Sequence, residues 1–205
     1  MKPILFNTEM VRAILEGRKK VTRRVILWDT VNGVLASSAR KNCPDITDAQ
    51  FVRVLCDCRY HVGDILYVRE KWSVDAPPIG KGQGEPVYAA DYTERELVCL
   101  AEKKFRWKPS IHMPKDMARI FLRVTDVSVE RLNQITADGA LMEGIAPNQE
   151  PMPLIRREQY YRGCFAALWD TTTNNRDMFG WDANPWVWVV RFERVEKPEV
   201  EECSK

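Results

Sequence analysis

No stretch of this 205-residue chain approaches the roughly 20 consecutive apolar residues that a helix needs to cross a bilayer. That excludes a membrane-spanning helix. Met1 to Met10 places polar residues early and lacks the apolar run and small-residue cleavage site of a secretory leader, so we expect a cytoplasmic protein. In that compartment thiols stay reduced, and the six cysteines are expected as free thiols rather than as a disulfide framework. Charge of one sign is also missing. The formal net charge is +2, which rules out a molecule that attracts nucleic acid through its overall field. Internal repeats, low-complexity tracts and the regular βαβ alternation of a parallel sheet are absent as well.

What is present suits one globular domain with a sizeable core. The hydrophobic fraction of 45% and charged fraction of 29% are ordinary, and seven tryptophans are expected mostly in or beside the core, where each large ring needs one acceptor for its N–H. Domain organisation is read as a single unit over residues 1–195, interrupted by an insertion at about 28–60. A polar C-terminal tail follows at 196–205.

Asn7-Thr8 is a helix cap signal, and Glu9 to Glu16 carries apolar residues at helical spacing before Gly17 stops it. Val21 to Ile26 and Ile65 to Arg69 read as strands, as does Val87 to Ala90. Arg119–Val124 and Val127–Leu132 read as two further strands. Within the insertion a helix is expected around Asp48 to Leu55. Ala76 to Pro86 is a Gly/Pro loop. Thr136 caps a helix running through Met142 to Gly144. Arg156 to Trp169 is an amphipathic helix with Tyr160, Phe165, Leu168 and Trp169 near one face, and Trp186 to Phe192 is a buried strand. This order predicts an α+β fold, a small mixed or antiparallel barrel with helices packed outside.

The most informative stretch is Gly17-Arg18-Lys19-Lys20-Val21-Thr22-Arg23-Arg24. Five cations fall within it, more than a helix C-terminus needs to balance its dipole. Gly17, Lys19, Thr22 and Arg24 resemble the ASCH signature: Gly, Lys two positions later, an acidic or hydroxyl residue three beyond, and Arg two beyond that. Thr22 stands where the commonest form has Glu, as in the branch similar to a bacterial N4-acetylcytidine amidohydrolase. Further stretches carry the resemblance: Gly63 to Trp72, Lys108-Pro109-Ser110-Ile111-His112-Met113-Pro114, and Trp181 to Trp188. They look like the ASCH proteins common in phages and prophages, and cover nearly the whole chain outside the insertion and tail. The resemblance implies a PUA-like β-barrel with peripheral helices, a class that includes RNA-binding and RNA-modifying domains.

The amidohydrolase branch uses a Lys, a Thr and a Glu, and these match Lys19, Thr22 and Glu143, the last seven positions after the helix-opening Thr136. Hydrolysis of an amide needs a nucleophile, a proton acceptor and a donor for the developing oxyanion. Thr22 could attack or position water, Glu143 could take a proton, and Lys19 could act as base or oxyanion donor. In a continuous strand, Lys19 and Thr22 would point to opposite faces, so a shared site requires the chain to turn between Gly17 and Val21.

Three readings stay open. One is a Lys19–Glu143 structural ion pair with a strand threonine, and another a surface that binds RNA or a modified nucleoside without catalysis. The third is hydrolysis, of an N4-acyl amide or an RNA phosphodiester. A phage assembly or morphogenetic factor is a further class. Arg18, Lys20, Arg23, Arg24, Tyr67, Glu70, Trp72 and His112 are the candidate ligand-binding residues, with Tyr67 and Trp72 able to stack a base. Core packing for the two aromatics, a surface ion pair for Glu70 and local hydrogen bonding for His112 are the competing roles. Cys43, Cys56, Cys58 and His61 could supply a zinc ligand set. Paired Cys-x2-Cys spacings are absent, so ordinary thiols are expected, with no metal or cofactor.

Overall fold

A computed structural model describes residues 1–27, 35, 45–75, 77, 85–148, 150–173 and 176–198. The chain separates into two compact units, Met1–Gly17, Asp64–Arg123 and Glu193–Lys205 in one, Arg18–Gly63 and Val124–Phe192 in the other.

In the first unit, β1 (Lys2–Leu5) runs parallel to β3 (Ile65–Arg69), Lys2 opposite Leu66 and Leu5 opposite Arg69. Between them in sequence, α1 (Thr8–Leu15) starts where the Asn7 side chain accepts the Met10 N–H at 2.8 Å, one residue earlier than its apolar spacing predicts. It ends at Gly17, whose φ of 75° is a left-handed value that a Cβ would strain. β3 pairs antiparallel with the start of β6 (Phe121–Arg131) through Tyr67 and Phe121. A short ribbon joins β4 (Trp72–Ser73) and β5 (Val87–Tyr88); after β5 the chain enters a 3-10 turn at Ala89–Asp91 instead of extending the strand. α3 (Glu94–Glu102) opens on a reciprocal Thr93/Glu96 cap, a helix-start spacing carried by the sequence itself. Tyr67, Trp72, Tyr88, Met113 and Phe121 form one core cluster, and Val87, Tyr92 and Leu100 another.

The second unit contains β2 (Val21–Val25), α2 (Asp48–Leu55) with its Thr47/Gln50 cap, and α4 (Ala137–Met142). It also holds α5 (Leu154–Thr172) and α6 (Arg176–Phe179). β7 (Trp186–Val195) is antiparallel to β2, with Thr22 opposite Val190 and Arg24 opposite Trp188. Side chains alternate across the pair. Val21, Val25, Val187 and Val189 therefore face one way, against a cluster of Leu132, Ile135, Ala140 and the α5 residues Tyr161, Phe165 and Trp169.

The architecture is α+β with mostly antiparallel pairing, strand order β1-β3-β6 in the first unit and β6-β7-β2 in the second. The two strands expected over 119–132 are one continuous strand, because nothing in the intervening Thr125-Asp126 breaks the ladder. The buried stripe of α5 is Tyr161, Phe165 and Trp169, while Tyr160, expected on that face, is exposed. Spacing of four on both sides of Phe165 selects the other tyrosine. No helix among the described residues is long and apolar enough to cross a membrane.

Candidate functional site

Lys19 lies just before β2, whose first residue is Val21. Its segment is stitched to the end of α4. The Lys20 N–H donates to the Met142 carbonyl at 2.8 Å, and the Arg18 guanidinium donates to the Gly144 carbonyl. The Lys20 carbonyl accepts from the Phe192 N–H, at 2.9 Å. Alternation then turns the Val21 carbonyl to the outer edge of β2, away from β7.

At that edge the Lys19 ammonium, its side chain 0% exposed, is surrounded by oxygen. Nζ donates to the Val21 carbonyl at 2.9 Å, the Glu143 carbonyl at 2.9 Å and the Glu143 carboxylate Oε2 at 2.5 Å. An ammonium carries three N–H groups, and these acceptors can take all of them. Glu143 is held at the C-terminal end of α4, whose opposite end is capped by the Thr136 hydroxyl accepting from the Gly139 N–H at 3.1 Å. Its second oxygen, Oε1, accepts from Arg23 Nη1 at 3.1 Å. The Arg23 guanidinium also meets Glu130 at 2.7 Å and lies 5.7 Å from the Phe165 ring centre. Gly139 makes room for it: a Cβ there would stand 3.3 Å from Arg23 Nη2 and 3.0 Å from Ile135 Cγ1.

Burial pulls the Lys19 pKa down, opposed by the Glu143 carboxylate and assisted by Arg24 and Arg23. Arg24 is likewise lowered by burial, with Tyr60 and Glu143 acting against the shift and Arg59 with it. Thr22 is buried, on the face of β2 that also carries Arg24. The structure thus brings Lys19 and Arg23 onto Glu143, and turns Thr22 to the opposite face of β2 from Arg23. Glu130, which completes the Arg23 pairing, escaped sequence reasoning; nothing marks it beyond its place on a strand. Lys20 is exposed.

The other candidates belong to the first unit. Glu70, 1% exposed, accepts from Arg119 Nε at 2.9 Å and Nη2 at 3.1 Å. Glu70 is buried in this pair and Arg119 half-buried, unlike the surface pair that its charged neighbours suggest. Burial raises the Glu70 pKa against the opposing pull of Arg119. Arg119 also meets Asp91 at 2.7 Å and stands 4.0 Å from the Tyr88 ring centre. Tyr67 and Trp72 are core residues. The Trp72 indole N–H is buried with no acceptor among the described residues, and the Lys108 ammonium lies 5.2 Å from the Trp72 ring centre. His112 is exposed at the end of a 3-10 turn.

Of the thiol set, Cys43 lies outside the described residues. Cys56 and Cys58 are buried free thiols, burial raising the Cys56 pKa, and His61 is exposed with Nε2 3.8 Å from Asp57. Among the described residues no group of three His, Cys, Asp or Glu side chains could hold a metal ion.

No family model and no curated protein matches the chain. Among solved structures it is similar to a DUF984 protein of Enterococcus faecalis V583, with a TM-score of 0.39 and 10% identity over 90% of this chain and 66% of that one. The chain therefore spans just under two thirds of that protein's length. It is also similar to an ASCH domain of Lactobacillus crispatus JV V101, with a TM-score of 0.36 and 13% identity over 91% of this chain and 72% of that one. Neither TM-score is one at which a shared fold is assigned.

Proposed function

We propose that this chain is an ASCH-type protein with a PUA-like barrel, and that its Lys19, Thr22 and Glu143 hydrolyse the amide of an N4-acylated cytidine. The observation that supports this reading is the Lys19 ammonium. It is withdrawn from water, 2.5 Å from a buried carboxylate, and three residues from a threonine with the matching motif position. Burial favours the neutral form of the Lys19 amine, against the pull of Glu143, and a neutral amine is a base. In the proposed reaction the Thr22 hydroxyl gives its proton to Lys19 as Oγ bonds to the acyl carbon. The tetrahedral adduct then expels the exocyclic nitrogen, which takes that proton back and leaves as the amine of cytidine. Water releases the acyl group from Thr22 as a carboxylic acid. Glu143 and its Arg23 partner orient the amine and balance its charge through the cycle.

The test is chromatography of N4-acetylcytidine incubated with the protein. Cytidine and acetate should appear, and Lys19→Ala and Thr22→Val should each slow their release by about a hundredfold or more. Full activity in Lys19→Ala, or no turnover by the unaltered protein, would overturn the proposal.

One observation favours a second reading. Three oxygens satisfy the three N–H groups of the Lys19 ammonium, as they would in a purely structural pair. On that reading the chain is a non-catalytic module that binds RNA. It predicts RNA retention that weakens steeply with salt, and no release of cytidine.

A further inference from the structure

The insertion has a described portion, and it builds a pocket. The end of α2 and the stretch that follows it, Arg53 to Val62, enclose a cavity of about 370 Å³ with Val127 of β6 and Trp188 of β7. Strand register says which side of the sheet this is. Trp188 is directly opposite Arg24, and Val190 directly opposite Thr22, so all four residues share one face. The other face is occupied by α4 and α5 through Val21, Val187 and Val189. The pocket therefore opens from the face that bears Thr22.

Its lining is mixed. Tyr60, Trp188 and Val127 are largely buried, whereas His61 and Asp57 have side chains 63% and 93% exposed at the rim. Val54 and Val62, 77% and 62% exposed, add apolar surface at the mouth. Small-molecule sites combine apolar and aromatic walls with a few polar groups; this lining has such walls and adds the charged Arg53 and Asp57. The volume is at the lower end of such sites, which run from about 300 to 1,000 Å³. It admits one base with its sugar and is too small for a base pair within a stacked duplex.

We infer that this pocket receives the pyrimidine of a single nucleoside or of an unstacked, unpaired nucleotide, and so sets substrate choice for the Thr22 face. The inference rests on the amidohydrolase reading for the identity of the base. Its physical content is separate, namely an aromatic-walled pocket contributed by the insertion. A base has two apolar faces for Tyr60 and Trp188 and polar edges for the guanidinium of Arg53. Enzymes that act on a base must take it out of its stack, and a pocket of this size accepts only a base already out.

The test measures N4-acetylcytidine binding by calorimetry, on the full chain and on Val62→Trp and Tyr60→Ala. Leu154→Trp, on an exposed residue at the start of α5, serves as the control. Val62 is exposed, so a tryptophan there can fill the mouth without disturbing the core, which an unchanged thermal melt will verify. The Kd should rise at least tenfold in Val62→Trp and in Tyr60→Ala, and not in Leu154→Trp. Where turnover is seen, the change should fall on KM. A Kd unchanged in both pocket variants, or no binding to the unaltered chain, would overturn the inference. Turnover with an unchanged KM in Val62→Trp would sink the pocket and leave the hydrolase standing. Binding that Val62→Trp weakens, without turnover by the unaltered chain, would do the reverse.

Discussion

At the scale of residues, Glu143 carries the largest electrostatic load of the candidate site. One of its oxygens neutralises a lysine with a fully buried side chain, and the other meets Arg23. Removing one member of a buried pair leaves the other charge without compensation, which typically costs about 3–5 kcal/mol. Glu143→Ala should lose stability on that scale in a urea titration, and the double variant Lys19→Met with Glu143→Leu should lose less than Glu143→Ala alone. The lowered Lys19 pKa has a second consequence. Between that folded value and the ordinary lysine value of about 10.4, the unfolded chain holds a proton that the folded chain has released. Stability therefore rises with pH across that window. Lys19→Met should flatten the rise, measured as the urea midpoint against pH.

At the scale of elements, two helices position the site. α4 presents Glu143 at one end and is capped at the other by Thr136. Thr136→Ala should cost about 1 kcal/mol, and its effect on any turnover should exceed that of Thr22-remote surface changes, because it loosens the helix that holds the carboxylate. α5 packs Phe165 into the core of the second unit and under the Arg23 guanidinium. Phe165→Ala should cost about 3–5 kcal/mol. Leu154→Ala, at the exposed start of the same helix, should stay within about 0.5 kcal/mol. The two thermal melts decide between an anchored face and a uniformly loose helix.

For the whole molecule, a net charge of +2 supplies little long-range attraction. Binding of an uncharged nucleoside should hardly change between 50 and 200 mM salt. Binding of RNA through, say, four phosphates should weaken about 50-fold over that range, at a slope of roughly −0.7 per phosphate for a single strand. A filter-binding series over salt therefore separates the two modes. The net charge indicates which mode needs local clustering, while the clustering itself is partly consumed. Of the five cations between Arg18 and Arg24, Lys19 and Arg23 are spent on buried carboxylates and Arg18 donates to a carbonyl.

The sequence by itself determined the elements with strong local signals. These are the capped helices at Asn7 and Thr136, the helix Asp48–Leu55, the strand at Ile65–Arg69 and the aromatic strand at Trp186. Each depends on chemistry within a few residues: a cap oxygen, an apolar period, a glycine at positive φ. It also singled out Lys19 and Glu143, through spacing against a family pattern. Only the tertiary structure decided that these two touch across 124 positions, that Glu130 and Arg119 complete partly buried ion pairs, and that Tyr161 rather than Tyr160 enters the core. It alone placed Trp188 opposite Arg24 beside a pocket made by the insertion. Pairings of that kind depend on strand register and on which surfaces the chain brings together, and no local run of residues encodes the partner at the far end.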